Sequence, residues 1–129
     1  MIRFAAAILF GLAQLSLTTD PGAAQRRRLA MDPGWRFTLG DPAGADQPRF
    51  DDRSWRLLDL PHDWSIEGTP REDAPGGGRV GYFPAGTAWY RKAFRLPAGA
   101  RGQEAWLEFD GVYMNSEVWL NGVHLGRRP

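Results

Sequence analysis

The sequence predicts an all-β chain built as a sandwich, and three observations carry that reading. Residues 104–109 alternate, with Ala105, Leu107 and Phe109 on one side and Glu104, Trp106 and Glu108 on the other, the period of a half-buried strand. Residues 117–120 and 123–125 flank Asn121-Gly122, the dipeptide that most readily takes the two positive φ angles of a type I′ hairpin turn. No ten-residue window carries an apolar stripe at helical spacing, and no internal repeat or heptad is present.

The elements follow in chain order. Arg3 opens a mostly apolar run over residues 4–17, and Gly22-Ala23-Ala24 supplies the small residues that signal peptidase cuts after. Residues 1–24 are therefore expected to be a signal peptide, since about 14 apolar residues fall short of the ~20 that span a bilayer. Arg26-Arg27 follows the apolar run instead of preceding it, unlike a twin-arginine signal. Residues 25–33 form a linker, and the domain proper is placed at 34–129. Within it, residues 35–39 read as a strand, 40–54 as an irregular loop broken by Asp41-Pro42, Gly44 and Pro48, and 56–60 as a brief strand stopped by Pro61. Residues 68–86 are a long Pro- and Gly-rich loop including Gly76-Gly77-Gly78, of a length that in compact domains is usually functional or disordered. A strand over 89–96 has Tyr90, Phe94 and Leu96 on one face and Arg91 and Arg95 opposite. In the final hairpin, Val118, Leu120, Val123 and Leu125 are expected to line a buried face, with Glu117, Trp119 and His124 on the other.

Composition bounds the function. The 129 residues leave room for one domain at most. Lys+Arg 16 against Asp+Glu 15 gives a net charge of +1, without the one-sided basic surface that a nucleic-acid partner requires. There is no cysteine, so an exported location, secreted or periplasmic, rests on the N-terminus alone. The only histidines, His62 and His124, lie far apart and outside any metal-binding spacing, and Gly76 to Gly78 lacks the ending of a phosphate cradle. No metal or cofactor is expected, and no membrane contact once the signal is cleaved. Of the six tryptophans, Trp35, Trp64 and Trp89 are expected in the core, while Trp106 and Trp119 either cover the second sheet face or meet a neighbouring domain.

Four landmarks in order give the chain a family resemblance. Gly34-Trp35-Arg36-Phe37 with Leu39-Gly40-Asp41, then Phe50-Asp51-Asp52-Arg53-Ser54-Trp55 with Leu60-Pro61-His62-Asp63-Trp64, then residues 86–94 (GTAWYRKAF), then residues 108–126 (EFDGVYMNSEVWLNGVHLG), together resemble the N-terminal sugar-binding domain of glycoside hydrolase family 2, the β-galactosidase and β-glucuronidase family. The resemblance covers roughly residues 29–129 and implies a jelly-roll sandwich. It also implies an incomplete one, because the family's domain continues past the hairpin into further strands, an immunoglobulin-like domain and a (β/α)8 barrel with two catalytic glutamates. The implied function is to buttress that barrel and narrow its pocket for a β-galactoside-like carbohydrate, with the C-terminal domains of the parent enzyme as partners.

Retaining glycosidases place two carboxyl groups about 5 to 5.5 Å apart on a rigid scaffold, and nothing in the sequence assembles such a pair, so no catalytic residue is assigned. The substrate-binding candidates are Tyr82, Phe83, His62 and Asp63. Tyr82 and Phe83 lie where the resemblance puts a loop that reaches the active site, although the asparagine which the family's best-known members place there is missing from Tyr82-Phe83-Pro84-Ala85-Gly86. His62 and Asp63 either border the sugar, or Asp63 ties down loop amides while Trp64 plugs the sandwich. The rival to the hydrolase reading is a stand-alone secreted carbohydrate-binding or protein-interaction module.

Overall fold

The computed structural model describes residues 1–8, 27–113 and 115–129. Six strands form one mixed sheet: β1 (Ile2–Ile8), β2 (Trp35–Leu39), β3 (Arg56–Leu58), β4 (Ala88–Phe94), β5 (Ser116–Leu120) and β6 (Val123–Arg128). Their order is β3-β2-β4-β1-β5-β6. Two 3-10 turns, Ser65–Glu67 and Gly77–Val80, are the only helical elements among the described residues.

The sheet is packed on both faces. On one, Trp35 and Phe37 of β2, Ala88 and Tyr90 of β4 and Phe4 of β1 form a buried cluster, sealed by the partly buried Leu58, Leu60, Trp64, Val112 and Val118. Phe4 stacks on Tyr90 at 5.5 Å between ring centroids and meets Trp35 edge-on at the same separation. On the other face Ala5, Trp55, Trp89 and Ala45 form a second cluster, with Phe50 and Trp119 against it. The alternation of β4 produces this division, since Tyr90 and Trp89 are neighbours that point to opposite sides. Loop 40–55 supplies the cover over the second cluster, and Arg91 fastens it. Its guanidinium donates to Asp52 Oδ2 at 3.0 Å, to the Gln47 carbonyl at 3.2 Å and to the Ala45 carbonyl.

Several sequence expectations are met closely. The strand over 35–39 is β2, Trp35 and Trp89 are buried, and Trp64 packs against the first cluster. In the hairpin, Asn121 and Gly122 have φ of 51° and 81°, as the type I′ reading requires. Others are corrected. Residues 104–109 form no strand, because none of the described residues pairs with them, and their expected apolar face is only partly met: Leu107 is half-buried and Phe109 reaches Phe4 at 5.1 Å, whereas Ala105 is exposed. Val123 and Leu125 are 62% and 54% exposed instead of buried, because β6 is an outer strand with none of the described residues laid over these side chains. Arg91 does lie opposite Tyr90 but is itself buried. Trp119 covers the second face by packing on Trp89 at 5.1 Å, whereas Trp106 is 83% exposed.

The largest difference is β1. Ile2–Ile8, the start of the segment expected to be an export signal, lies inside the sheet, parallel to β4 and to β5. The expected cleavage after Ala24 lies outside the described residues.

Candidate functional site

The site candidates collect at one end of the first face. Pro61, preceded by a cis peptide bond, leads into His62-Asp63-Trp64, and the turn Ser65–Glu67 brings Glu67 back toward β3. Asp63 Oδ1 accepts from the Ser65 amide at 3.0 Å and its hydroxyl at 2.7 Å, and so starts this turn. At the far end of the following loop, Pro84 closes onto Gly68 and Trp64 borders Gly86. The segment holding His62 and Asp63 and the loop holding Tyr82 and Phe83 therefore meet at the foot of that loop.

His62 is drawn inward. Its side chain is only 11% exposed, lies edge-on to Phe37 at 4.8 Å, and has both ring nitrogens engaged. Nδ1 is 2.7 Å from the Tyr90 hydroxyl, while Nε2 is 2.6 Å from Arg56 Nη2 and 3.1 Å from Glu67 Oε1. A guanidinium only donates. A carboxylate only accepts, so Nε2 accepts from Arg56 when it is unprotonated and donates to Glu67 when it carries a proton, while Nδ1 meets the Tyr90 hydroxyl.

Arg56 and Glu67 are the groups of this cluster that face solvent, 49% and 43% exposed in their side chains. They form a two-pronged pair, Nη1 to Oε2 at 2.8 Å and Nη2 to Oε1 at 2.6 Å. The hydrogen bonds from Arg56, then that from His62, lower the Glu67 pKa to about 2. Tyr90 moves the opposite way: burial, then the negative charges of Asp63 and Glu67, push its phenol upward. Sequence reading missed Arg56, Glu67 and Tyr90 as companions of His62, because three separate segments bring them together.

Loop 68–86 is ordered by its own backbone. The Arg71 amide donates to the Tyr82 carbonyl at 2.9 Å, the Tyr82 amide donates to the Gly77 carbonyl at 3.0 Å, and Arg71 pairs with Asp73 at 2.7 Å. Tyr82 has a φ of 61°, its ring lies beside Gly78, and it is 46% exposed, whereas Phe83 is partly buried.

The arrangement offers flat aromatic surface, an arginine–carboxylate fork and a buried hydroxyl, which suits binding of a polyhydroxylated molecule better than bond cleavage. A glycosidase acid needs a raised pKa. Glu67 has a lowered one, and Asp41, Asp51, Asp52 and Asp73 are each held by an arginine. Among the described residues no group of three His, Cys, Asp or Glu side chains could hold a metal ion, and no helix is long and apolar enough to cross a membrane.

Similar proteins give the chain its family. A β-galactosidase of Bacteroides ovatus is 52% identical over 104 residues, which cover 81% of this chain and 12% of that protein. A β-glucuronidase of Formosa agariphila is 31% identical over 107 residues, covering 81% of this chain and 11% of its own length. Among solved structures, a β-glycosidase from Bacteroides vulgatus superimposes with a TM-score of 0.68 at 43% identity over 77% of this chain and 13% of that one. A glycosyl hydrolase family 2 member from Bacteroides cellulosilyticus gives 0.67 at 36% identity, over 78% and 14%. No protein-family model matches the chain. The chain spans about an eighth of the β-galactosidase relative. With all-β architecture, landmark order and superposition in agreement, the chain belongs to glycoside hydrolase family 2, as the counterpart of the N-terminal jelly-roll domain of its β-galactosidase-like members.

Proposed function

We propose that the chain is the non-catalytic sugar-side domain of an enzyme that hydrolyses O-glycosyl bonds of β-galactoside-like carbohydrates. The observation that carries this is the 52% identity to a β-galactosidase across 81% of the chain. In this role the sheet is a rigid platform, and loop 68–86 presents Tyr82 and Phe83 toward the substrate, with Arg56 and Glu67 beside the loop's foot. Aromatic faces pack on the C–H surface of a pyranose, and an arginine–carboxylate fork both donates to and accepts from hydroxyls. The catalytic carboxylates belong to the companion domains of the full-length enzyme, and the apolar start of the chain directs export to a secreted or periplasmic location.

The test is a chimera in which this chain replaces the matching region of the Bacteroides ovatus β-galactosidase, assayed on a chromogenic β-galactoside. Hydrolysis by the chimera and none by the chain alone is the expected result. Turnover by the chain alone, or a folded chimera that neither binds nor hydrolyses the substrate, overturns the proposal.

A further inference from the structure

His62 stands between two charged partners that make opposite demands on one atom. Its Nε2 is 2.6 Å from Arg56 Nη2, which only donates, and 3.1 Å from Glu67 Oε1, which as a carboxylate only accepts. The first contact is a hydrogen bond when Nε2 lacks a proton and the second when it carries one, so the two exclude each other. Nδ1 meets the Tyr90 hydroxyl at 2.7 Å and keeps the ring on β4 in either state.

The partners of His62 hold their protonation states. Hydrogen bonds from Arg56, then from His62, keep Glu67 at a pKa of about 2, and the hydrogen bond to Glu67 raises that of Arg56. Burial, then the charges of Asp63 and Glu67, push the Tyr90 phenol upward. Asp63, on the same segment as His62, is occupied by the Ser65 amide and hydroxyl, and β2 presents the uncharged ring of Phe37. Histidine is the side chain whose charge ordinarily changes between about pH 5 and 8. Of Arg56, His62, Glu67 and Tyr90, the imidazole is therefore the group through which a proton enters the cluster in that range.

We propose that His62 is a proton-operated positioning residue, which on protonation moves the anchor of the turn Ser65–Glu67, and with it the foot of loop 68–86, from β3 to β4. Arg56 Nη2 serves both His62 Nε2 and Glu67 Oε1, each at 2.6 Å. A proton on Nε2 sets two donors and two positive charges face to face at that distance and drives Nη2 away. In leaving, Nη2 gives up Oε1, so the fork to β3 keeps at most the Nη1 to Oε2 bond. Oε1 then accepts from His62, whose other nitrogen is fixed on Tyr90 of β4. Gly68 follows Glu67 directly and lies so close to Pro84 that a Cβ would sit 2.3 Å from its Cγ. A displacement of Glu67 is therefore passed to Pro84 and on to its chain neighbours Phe83 and Tyr82. The proposal rests on the hydrolase reading above only for its consequence, that pH sets how Tyr82 and Phe83 meet the sugar; the movement itself needs no substrate.

The test is a titration of the full chain from about pH 5 to 8 by NMR, following the imidazole signals and the backbone amides of Glu67, Gly68, Tyr82 and Phe83. His62 and His124 are the only histidines, so His124→Gln assigns the ring signals. The expected result is that these amides shift with the midpoint of the His62 ring. His62→Gln, which still donates and accepts but does not titrate, should lose that step. Arg56→Met should raise the midpoint of the His62 ring, because it removes the cation that opposes a proton on Nε2. If His62→Gln does not fold, the unaltered chain and Arg56→Met decide, the second because the Arg56 side chain is 49% exposed and its loss leaves the core intact. A His62 ring that does not titrate in this range, one that titrates while the four amides stay still, a loop step that persists in His62→Gln, or an unmoved midpoint in Arg56→Met overturns the proposal. No sugar enters the readout, so an inactive chimera and an unresponsive loop are separate results.

Discussion

At the scale of single residues, charge is used to fasten loops to the sheet. Arg91 is 7% exposed in its side chain and is fully employed by Asp52 and the carbonyls of Ala45 and Gln47. Arg91→Met leaves those acceptors without their donor, and a loss of roughly 2–3 kcal/mol in urea unfolding is expected, toward the low end for a broken buried pair because Asp52 reaches solvent. Asp52→Asn in the same background should then add little, since the two changes share one interaction. Glu67 and Tyr90 are two groups through which pH acts on the fold. The folded pKa of Glu67 lies near 2, below its ordinary 4.5, so its contribution is present above pH 4.5 and is lost as pH falls from there toward 2. Asp51, lowered to about 2 by the hydrogen bonds of Arg53, titrates in the same window, but its partner is two residues away and stays near it in the unfolded chain. Glu67→Gln should therefore flatten the fall of the urea midpoint below pH 4.5 more than Asp51→Asn does. Tyr90 has a raised folded pKa, so its contribution is present below its ordinary 10 and is lost above it. Tyr90→Phe should remove that alkaline loss.

At the scale of elements, turns and close approaches decide what can change. Gly122 has a φ of 81°, and a Cβ there would sit 3.1 Å from Pro48 Cδ, so Gly122→Ala combines backbone strain with a clash. A cost of about 1 kcal/mol or more is expected in thermal or urea unfolding. A Cβ on Gly68 would lie 2.3 Å from Pro84 Cγ, so Gly68→Ala should open the foot of loop 68–86. Faster tryptic cleavage after Arg71 and Arg79 with a nearly unchanged melting temperature is the expected outcome; an unchanged cleavage rate shows that the foot does not order the loop. The same elements show why some structure was legible. The hairpin and β2 were readable because a turn dipeptide and an alternating run are local signals. The segment 104–109 has the same alternation but no strand partner among the described residues, and pairing is not a local property. Segment 2–8 is apolar enough to serve as either leader or strand, so its pairing was not readable. The His62 cluster was hidden for the corresponding reason, since Arg56, Glu67 and Tyr90 converge only through tertiary structure. Asp63 was partly readable, because a short acidic side chain two residues before a turn amide is a local motif.

At the scale of the whole molecule, the outer edge of the sheet is where burial fails. β6 is exposed along its length, and beside it Leu107, Phe109, Val112, Val118 and Leu125 line an open groove of ≈ 310 Å³. Tyr113 and Trp106 add 72% and 83% exposed aromatic surface on the adjoining segment. An unpaired strand edge next to contiguous apolar surface favours pairing with another chain. Arg127 and Arg128 place charge on that edge and oppose such pairing, but they occupy only its last part. Self-association of the isolated chain is therefore expected in sedimentation velocity at tens of micromolar, together with binding of an apolar dye. Val123→Lys with Leu125→Lys puts two charges on side chains already 62% and 54% exposed, so it removes little buried area. The double variant should move the chain toward a monomer without lowering its melting temperature. A monomeric unaltered chain with a sharp cooperative melt shows instead that the sheet tolerates this edge, and that the groove does not govern its behaviour in solution.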